Sequence, residues 1–172
     1  MNISLAQLSA FGREVFRQAG VSQADAATAT DALLAADSWG IHTHGLKNLS
    51  GYVKRLKAGG INPLGQAWVA AEGPAWARVD GDASLGMIGS TFSMRQAIRK
   101  AAATGIGFAG LCNSCHFGAA GCYATLAADE GMIGIAMCND TPTVTVPGAL
   151  GPVLGSNPIA YAVPADEQLV LL

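Results

Sequence analysis

The chain has little positive charge and no concentration of it. Its 172 residues include 10 Lys and Arg against 12 Asp and Glu, which gives a formal net charge of -2. The densest basic stretch is Lys54-Arg55-Leu56-Lys57, a pattern typical of a solvated helix face. Without a positive field that attracts phosphates, the protein is not expected to bind nucleic acid. The 51% hydrophobic content excludes a disordered chain and is sufficient for a buried core.

Long hydrophobic runs are also lacking. No apolar stretch reaches the roughly 20 residues that a membrane helix needs, because Gly, Asp, Thr and Pro interrupt each one. The N-terminus has neither a basic start nor an unbroken apolar core, so it is not expected to be a secretory signal. The 4 cysteines, all between positions 112 and 138, fit reduced thiols better than a disulfide framework. We therefore expect a cytoplasmic protein with no membrane partner.

Apolar periodicity and turn residues predict alternating helices and strands. Leu5 and Leu8 open a helical pattern that ends at Gly20, and Ser22 is the candidate N-cap of a second helix that ends near Asp37. Further helices are predicted over 44–58, 90–103 and 121–129, and strands over 67–71, 75–79, 107–112, 132–138, 159–163 and 168–172. This order indicates an α/β or α+β protein. The last predicted strand has no partner after it, so the natural chain is expected to continue beyond Leu172.

The most informative motif, Cys112-Asn113-Ser114-Cys115-His116-Phe117-Gly118, fits three kinds of site. Cys-x-x-Cys-His attaches c-type haem, but that attachment takes place in an exported compartment, which the N-terminus does not indicate. A zinc site would use Cys112, Cys115 and His116, with Cys122 or Cys138 to complete it, but no second Cys-x-x-Cys pair accompanies them. The third interpretation is an enzyme loop in which His116 lies between a buried strand and a helix.

A glycine pattern at residues 105–110 matches G-x-G-x-x-G, the fingerprint of Rossmann dinucleotide-binding folds. In those folds the glycines follow a strand and open a helix, so that the pyrophosphate lies at the helix N-terminus. Here a predicted helix precedes the glycines and a predicted strand follows them. Gly105 is therefore interpreted as a helix C-cap, and the order of elements argues against a Rossmann fold.

Two other segments have the composition of ligand-binding loops. Thr43-His44-Gly45 places a second histidine beside a glycine, as His116-Phe117-Gly118 does. Leu154-Gly155-Ser156-Asn157-Pro158-Ile159 places small and amide side chains on a turn before a strand, which suits close approach of the backbone to a ligand.

Several of these blocks together resemble the malate/L-lactate dehydrogenase family. Residues 37–45 resemble its D-x-x-G-x-x-S-H-G block, residues 113–118 resemble N-S-x-H-F-G, and residues 154–159 resemble L-G-T-N-P-I. Tyr52 and residues 59–63 follow at the family's spacing. The family contains ureidoglycolate, sulfolactate and diketogulonate enzymes and piperideine-2-carboxylate reductases. Because the blocks occur in the family's order over nearly the whole chain, the resemblance is specific.

The resemblance implies a non-Rossmann α/β fold of α+β type. A helical region over residues 1–62 would precede a mixed, largely antiparallel sheet with flanking helices, and residues 63–172 would be the first part of a cofactor-binding domain. The family implies a homodimer whose active site uses both subunits. Family members are longer than this chain, so the resemblance implies only the N-terminal portion of the family's fold.

The resemblance further implies hydride transfer between NAD or NADP and a small 2-hydroxy or 2-oxo acid. His44 and His116 match catalytic positions of the family. We assign His44 as the acid/base and His116 as the residue that orients the substrate oxygen, and the reverse assignment stays open. An imidazole suits this role because its ordinary pKa near 6.5 allows proton transfer at neutral pH. The implied substrate residues are Thr43, Asn48 and Tyr52. The implied cofactor residues are Ser114, Asn139, Asp140, Gly155, Ser156 and Asn157.

One departure from the family concerns the substrate. Asn48 stands where family members often carry an Arg, the side chain that holds a carboxylate with two parallel hydrogen bonds. This indicates a substrate other than malate or lactate, or a carboxylate anchor elsewhere in the chain. Two alternatives to an active enzyme remain: a catalytically inactive, truncated family member that acts as an interaction module, and a small metal-binding domain at Cys112, Cys115 and His116.

Overall fold

Helices form the first part of the chain, and caps define where they begin. The computed structural model describes residues 3–165 and 170–171. Helix α1 spans Leu5–Gln18 behind a capping box, in which the Ser4 hydroxyl accepts from the Gln7 amide and the Gln7 side chain accepts from the Ser4 amide. Helix α2 spans Gln23–Ser38, and Ser22 is its N-cap as predicted. Helix α3 spans Leu49–Lys57.

The predicted start of the third helix at residue 44 is wrong. The segment before α3 instead forms two short 3-10 turns, His42–His44 and Leu46–Asn48, with Gly45 extended between them. Asp37 in α2 causes this break, because its Oδ2 accepts the Leu46 amide proton at 2.8 Å. A Cβ at Gly45 would lie 2.1 Å from Asp37 Oδ1. A side chain from the preceding helix therefore sets the path of the segment that carries His44.

The strands form two separate three-stranded sheets in the described part of the chain. In the first, the order is β1 (Trp68–Glu72), β2 (Trp76–Asp80), β3 (Phe108–Cys112); β1 and β2 are antiparallel, and β2 and β3 are parallel. In the second, β4 (Gly134–Met137), β5 (Ile159–Val163) and β6 (Val170–Leu171) are all antiparallel. The α/β class with mostly antiparallel pairing is thus confirmed.

Two helices connect and cover the sheets. Helix α4 (Gly86–Thr104) joins β2 to β3, and α5 (Gly121–Ala128) joins β3 to β4. Helix α4 begins four residues before the predicted residue 90, at a position where Leu85 provides no side-chain cap. Gly105 has φ +84° and ends α4, so the glycine pattern at 105–110 is a helix end and a strand entry, as predicted.

The main hydrophobic core joins the helical region to the start of α4. Phe16, Leu33, Tyr52 and Ile61 pack in one cluster with Met87, and all five are at most 3% exposed. A core that includes residues on both sides of position 62 couples the helical region to the sheet region. The division into residues 1–62 and 63–172 stays a prediction.

The strand predicted over residues 168–172 is observed at Val170–Leu171. Residues 168, 169 and 172 lie outside the described part of the chain. None of the helices in the described ranges is long and apolar enough to cross a bilayer.

We expect Gly107→Ala to destabilise the fold by about 1–3 kcal/mol, because an added methyl group overpacks a tight contact. A Cβ at Gly107 would lie 1.9 Å from the Ala97 carbonyl oxygen of α4. Urea unfolding followed by circular dichroism measures the change. The control is Gly51→Ala in α3, where a Cβ meets nothing within 4 Å. This control should raise stability by about 0.5–1 kcal/mol because Gly is unfavourable inside a helix. Equal stability of the two variants would contradict the contact.

Candidate active site

A cleft of about 910 Å³ opens between α3, the segment before it, the loop after β3 and the turns that follow β4. Nine of the eleven predicted site residues line it: Thr43, His44, Asn48, Tyr52, Ser114, His116, Asn139, Asp140 and Ser156. These residues come from segments that are far apart in sequence, so the fold brings them together. Their individual roles stay predictions.

His116 lies in the loop between β3 and α5 and is held at its Nδ1. The Tyr52 hydroxyl lies 2.5 Å from that nitrogen, and the Gly118 amide donates to it at 3.4 Å. Gly118 has φ +78°, a conformation that favours glycine, and it turns the chain towards α5. Within the described residues, the hydrogen bonds of the ring are both at Nδ1, and none is made at Nε2.

The first residue of α4 fixes the position of the His116 backbone. A Cβ at Gly86 would lie 2.3 Å from the Cys115 carbonyl oxygen and 2.4 Å from that of His116. Only glycine allows this approach, so the start of the helix and the histidine loop are in direct contact. Asn113, at the start of the loop, has φ +49° and donates from Nδ2 to the Asp80 carboxylate at 2.8 Å. The first contact holds the loop against α4, and the second holds it against the first sheet.

His44 lies opposite His116 across the cleft. The two rings are nearly parallel, with an interplanar angle of 26° and centroids 5.7 Å apart. The Thr43 hydroxyl lies 3.0 Å from His44 Nδ1. The two imidazoles are therefore close neighbours in one cleft.

Tyr52 and Asn48 project from the same side of the helical region as His44. Tyr52 is 3% exposed and its ring packs at 6.4 Å from Phe16, which fixes the hydroxyl that faces His116. Burial raises the pKa of Tyr52, so the hydroxyl keeps its proton and can donate it. Asn48 Nδ2 donates to the Thr43 carbonyl at 2.7 Å and so supports the His44 turn.

Asp140 lies on the turn that follows β4 and organises the residues predicted for the cofactor. Its Oδ2 accepts from the Ser156 hydroxyl at 2.9 Å, and its amide donates to Asn157 Oδ1 at 2.9 Å. The Ser156 hydrogen bond, followed by that of the Thr141 amide, lowers the pKa of Asp140. Gly155 is buried behind this turn, where a Cβ would lie 2.3 Å from the Asp140 carbonyl oxygen. Gly155 and Asn157 therefore shape the turn and do not line the cleft.

The environment of His116 favours its neutral form. Packing around the ring lowers the pKa of His116, and the neighbouring His44 lowers it further, while Asp140 opposes the shift. Arg55, which lines the same cleft, also lowers it.

Arg55 was not among the residues predicted from the sequence. It lies in α3 seven residues after Asn48, which is two helical turns on the same face. This helical spacing is the sequence feature that could have placed Arg55 beside Asn48. The composition of Lys54-Arg55-Leu56-Lys57 indicates only a solvated helix face.

The thiols of the Cys-x-x-Cys-His motif point to different partners. Cys112 Sγ donates to the Val79 carbonyl at 3.3 Å, and Cys115 Sγ contacts the Ser84 carbonyl at 3.6 Å. Burial raises the pKa of Cys115, whereas a metal ligand must be a thiolate. Within the described residues, no group of three or more His, Cys, Asp or Glu side chains is placed to hold a metal ion.

A model of the malate/L-lactate dehydrogenase family matches residues 3–172. The chain belongs to this family. Malate dehydrogenase from Pyrococcus horikoshii is 43% identical over 166 residues, which are 96% of this chain and 46% of that protein. Its solved structure has a TM-score of 0.96 to this chain and covers it fully, while the chain covers 49% of the solved one.

Two further family members are named for other substrates. L-sulfolactate dehydrogenase from Methanocaldococcus jannaschii is 38% identical, over 87% of this chain and 43% of that protein. Ureidoglycolate dehydrogenase (NAD(+)) from Escherichia coli is 33% identical, over 90% of this chain and 44% of that protein. The chain thus spans about half the length of the curated relatives it matches. The family's fold is established, and the family includes dehydrogenases of several hydroxy acids.

We expect His116 to titrate below the ordinary imidazole value of about 6.5, with the neutral ring protonated on Nε2. NMR of the ring nitrogens measures both, with His116→Gln to assign the signals. Because the folded-state pKa is lowered, the unfolded chain binds the proton more tightly, so this group removes stability as the pH falls through about 6.5. His116→Gln should therefore lose less stability than the wild type over that window. A neutral ring protonated on Nδ1 would contradict the observed geometry.

Proposed function

We propose that the protein containing this chain is an NAD(P)-dependent oxidoreductase that transfers a hydride between nicotinamide and a small 2-hydroxy or 2-oxo acid. The observation that carries the proposal is the pair of imidazoles, His44 and His116, 5.7 Å apart in one cleft beside Tyr52. Oxidation of a hydroxyl-bearing carbon releases a hydride from the carbon and a proton from the oxygen, and an imidazole can take the proton. The dehydrogenase names of the relatives support the same reaction.

His116 is proposed to orient the substrate oxygen. Since the Gly118 amide can only donate, His116 Nδ1 is the acceptor, and the neutral ring carries its proton on Nε2. That Nε2–H can donate to the oxygen at the reacting carbon, but it cannot also take a proton. The lowered pKa of His116 supports this neutral form at physiological pH.

His44 is proposed as the acid/base. Its Nδ1 is paired with the Thr43 hydroxyl, which can either donate or accept, so both neutral tautomers of His44 are available. An imidazole that can adopt either neutral tautomer can accept the substrate proton at the nitrogen that faces the cleft. It can return the proton in the reverse reaction. Thr43 would then follow the change by rotating its hydroxyl.

The residues on the Asp140 turn fit the nicotinamide end of a dinucleotide. The Asp140 carboxylate and the Asn139 amide can bind ribose hydroxyls or a carboxamide, whereas a carboxylate repels a pyrophosphate. Bound there, the cofactor would supply or accept the hydride. Ser114 and Ser156 line the same cleft and would add hydroxyl contacts, while Gly155 and Asn157 hold the turn in shape.

Polar side chains near the two imidazoles are the proposed substrate contacts. Asn48 Oδ1 and the Thr43 and Tyr52 hydroxyls are proposed to contact substrate hydroxyl groups. A homodimer in the cytoplasm follows from the family resemblance. Exposed apolar side chains on the outer face of the second sheet, Ile135, Met137, Ile159 and Tyr161, support a further contact surface. Either NAD or NADP is proposed as the cofactor, and the name of the ureidoglycolate enzyme supports NAD.

We expect the full-length protein to oxidise NADH or NADPH in the presence of at least one small 2-oxo or cyclic imino acid. Loss of the reduced nicotinamide absorbance with pyruvate, oxaloacetate and piperideine-2-carboxylate measures this. A control without acid corrects for the spontaneous loss. If a broad panel of such acids gave no turnover, the oxidoreductase proposal would fail, and the inactive interaction module would be the better interpretation.

We expect His44→Gln to lower kcat about 10²–10⁴-fold, because proton transfer loses its acceptor. His42→Gln is the matched control, since His42 pairs with Asp37 outside the cleft. Added imidazole should restore turnover to His44→Ala, because a free base can carry a proton, but not to His116→Ala, where an oriented donor is lost. Rescue of His116→Ala alone would reverse the two assignments.

A further inference from the structure

One face of α3, together with its N-cap residue Asn48, lines the cleft. Asn48, Gly51, Tyr52 and Arg55 all line the cleft, and their spacing of three, four and seven residues is that of one helix face. Arg55 is about 10 Å further along the helix axis than Asn48, from the rise per residue. The cleft thus extends past the position at which family members often carry an Arg.

Gly51 leaves space for the Arg55 side chain to reach into the cleft. Side chains on a helix point towards its N-terminus and cover the residue one turn earlier, which for Arg55 is Gly51. A Cβ at Gly51 would meet nothing within 4 Å, so the surface over Gly51 is open. Rotation of the Arg55 side chain over Gly51 would bring the guanidinium towards Asn48 and the two imidazoles.

Arg55 is available for a ligand. Among the lining residues that the structure describes, it is the one Lys or Arg. It is exposed, and no acidic side chain within residues 3–165 forms an ion pair with it. Asn48 has no charge, and its amide already donates to the Thr43 carbonyl. An anion in this cleft would therefore find its opposite charge at Arg55.

We propose that Arg55 binds the carboxylate of the 2-hydroxy or 2-oxo acid and replaces the arginine that is absent at position 48. This inference rests on the proposed function. The carboxylate lies towards the C-terminal half of α3, and the reacting carbon lies between His44 and His116. The planar guanidinium holds the carboxylate with two hydrogen bonds, which orients the acid as well as attracting it.

The experiment compares Arg55→Gln with Lys57→Gln, an equal change of charge on the same helix but outside the cleft lining. Loss of a charge-assisted hydrogen bond should weaken binding of oxalate, a dianionic probe, about 10- to 100-fold in Arg55→Gln. Lys57→Gln should bind oxalate as the wild type does, and Arg55→Lys should lie between the two. Calorimetry measures these affinities without turnover, and thermal unfolding checks that each variant is folded.

Kinetics with pyruvate and methyl pyruvate test the same contact in the working enzyme. Because the ester lacks the negative charge, the wild type should prefer pyruvate, and Arg55→Gln should lose that preference through a higher KM for pyruvate. The KM for NADH should not change. A higher KM for NADH with an unchanged KM for pyruvate would assign Arg55 to a cofactor phosphate and overturn the inference.

The two proposals fail in different ways. Absence of turnover by the wild type on any acid contradicts the proposed function, while the oxalate titration still tests Arg55. Turnover by the wild type with equal oxalate affinity in Arg55→Gln contradicts the role of Arg55 alone. Failure of the wild type to bind oxalate also overturns the inference.

Discussion

The hydrogen bond between the Tyr52 hydroxyl and His116 Nδ1 joins residues 64 positions apart and connects the helical region to the loop after β3. Tyr52 can hold His116 because the tyrosine ring is itself packed in the main core against Phe16. The position and tautomer of the histidine therefore depend on the packing of a buried cluster. An imidazole oriented by a buried hydroxyl loses little freedom when a ligand binds, which favours pre-organised contacts in the cleft.

Two glycines allow the backbone approaches that place the histidines opposite each other. Gly45 lies against the Asp37 carboxylate, and Gly86 lies against the carbonyl oxygens of the His116 loop. Neither position tolerates a side chain, so the two loops are set by contacts with helices α2 and α4. Both histidines are thus mounted on loops whose ends are fixed by regular structure, which is the arrangement that gives loop residues a defined geometry.

The described lining of the cleft includes one basic and one acidic side chain, apart from the histidines. Arg55 provides the positive charge on the α3 side, and Asp140 provides the negative charge on the turn after β4. Both shift the pKa of His116: Arg55 lowers it and Asp140 raises it. The loss of an arginine at position 48 does not leave the cleft without a cation, because the helix presents another one two turns later. Relatives named for malate, sulfolactate and ureidoglycolate show that the family includes dehydrogenases of different hydroxy acids.

The sequence alone determined the helix and strand order, the capped start of α2 and the helix end at Gly105, because each depends on neighbouring residues. Tertiary structure decided the late start of α3, since Asp37 breaks the helix through a contact nine residues away. It also decided that Tyr52 pairs with His116 and that the exposed Arg55 lines the cleft, where the local pattern indicated only a solvated face. These features require side chains from distant segments to meet, and that depends on how the helices pack around the core.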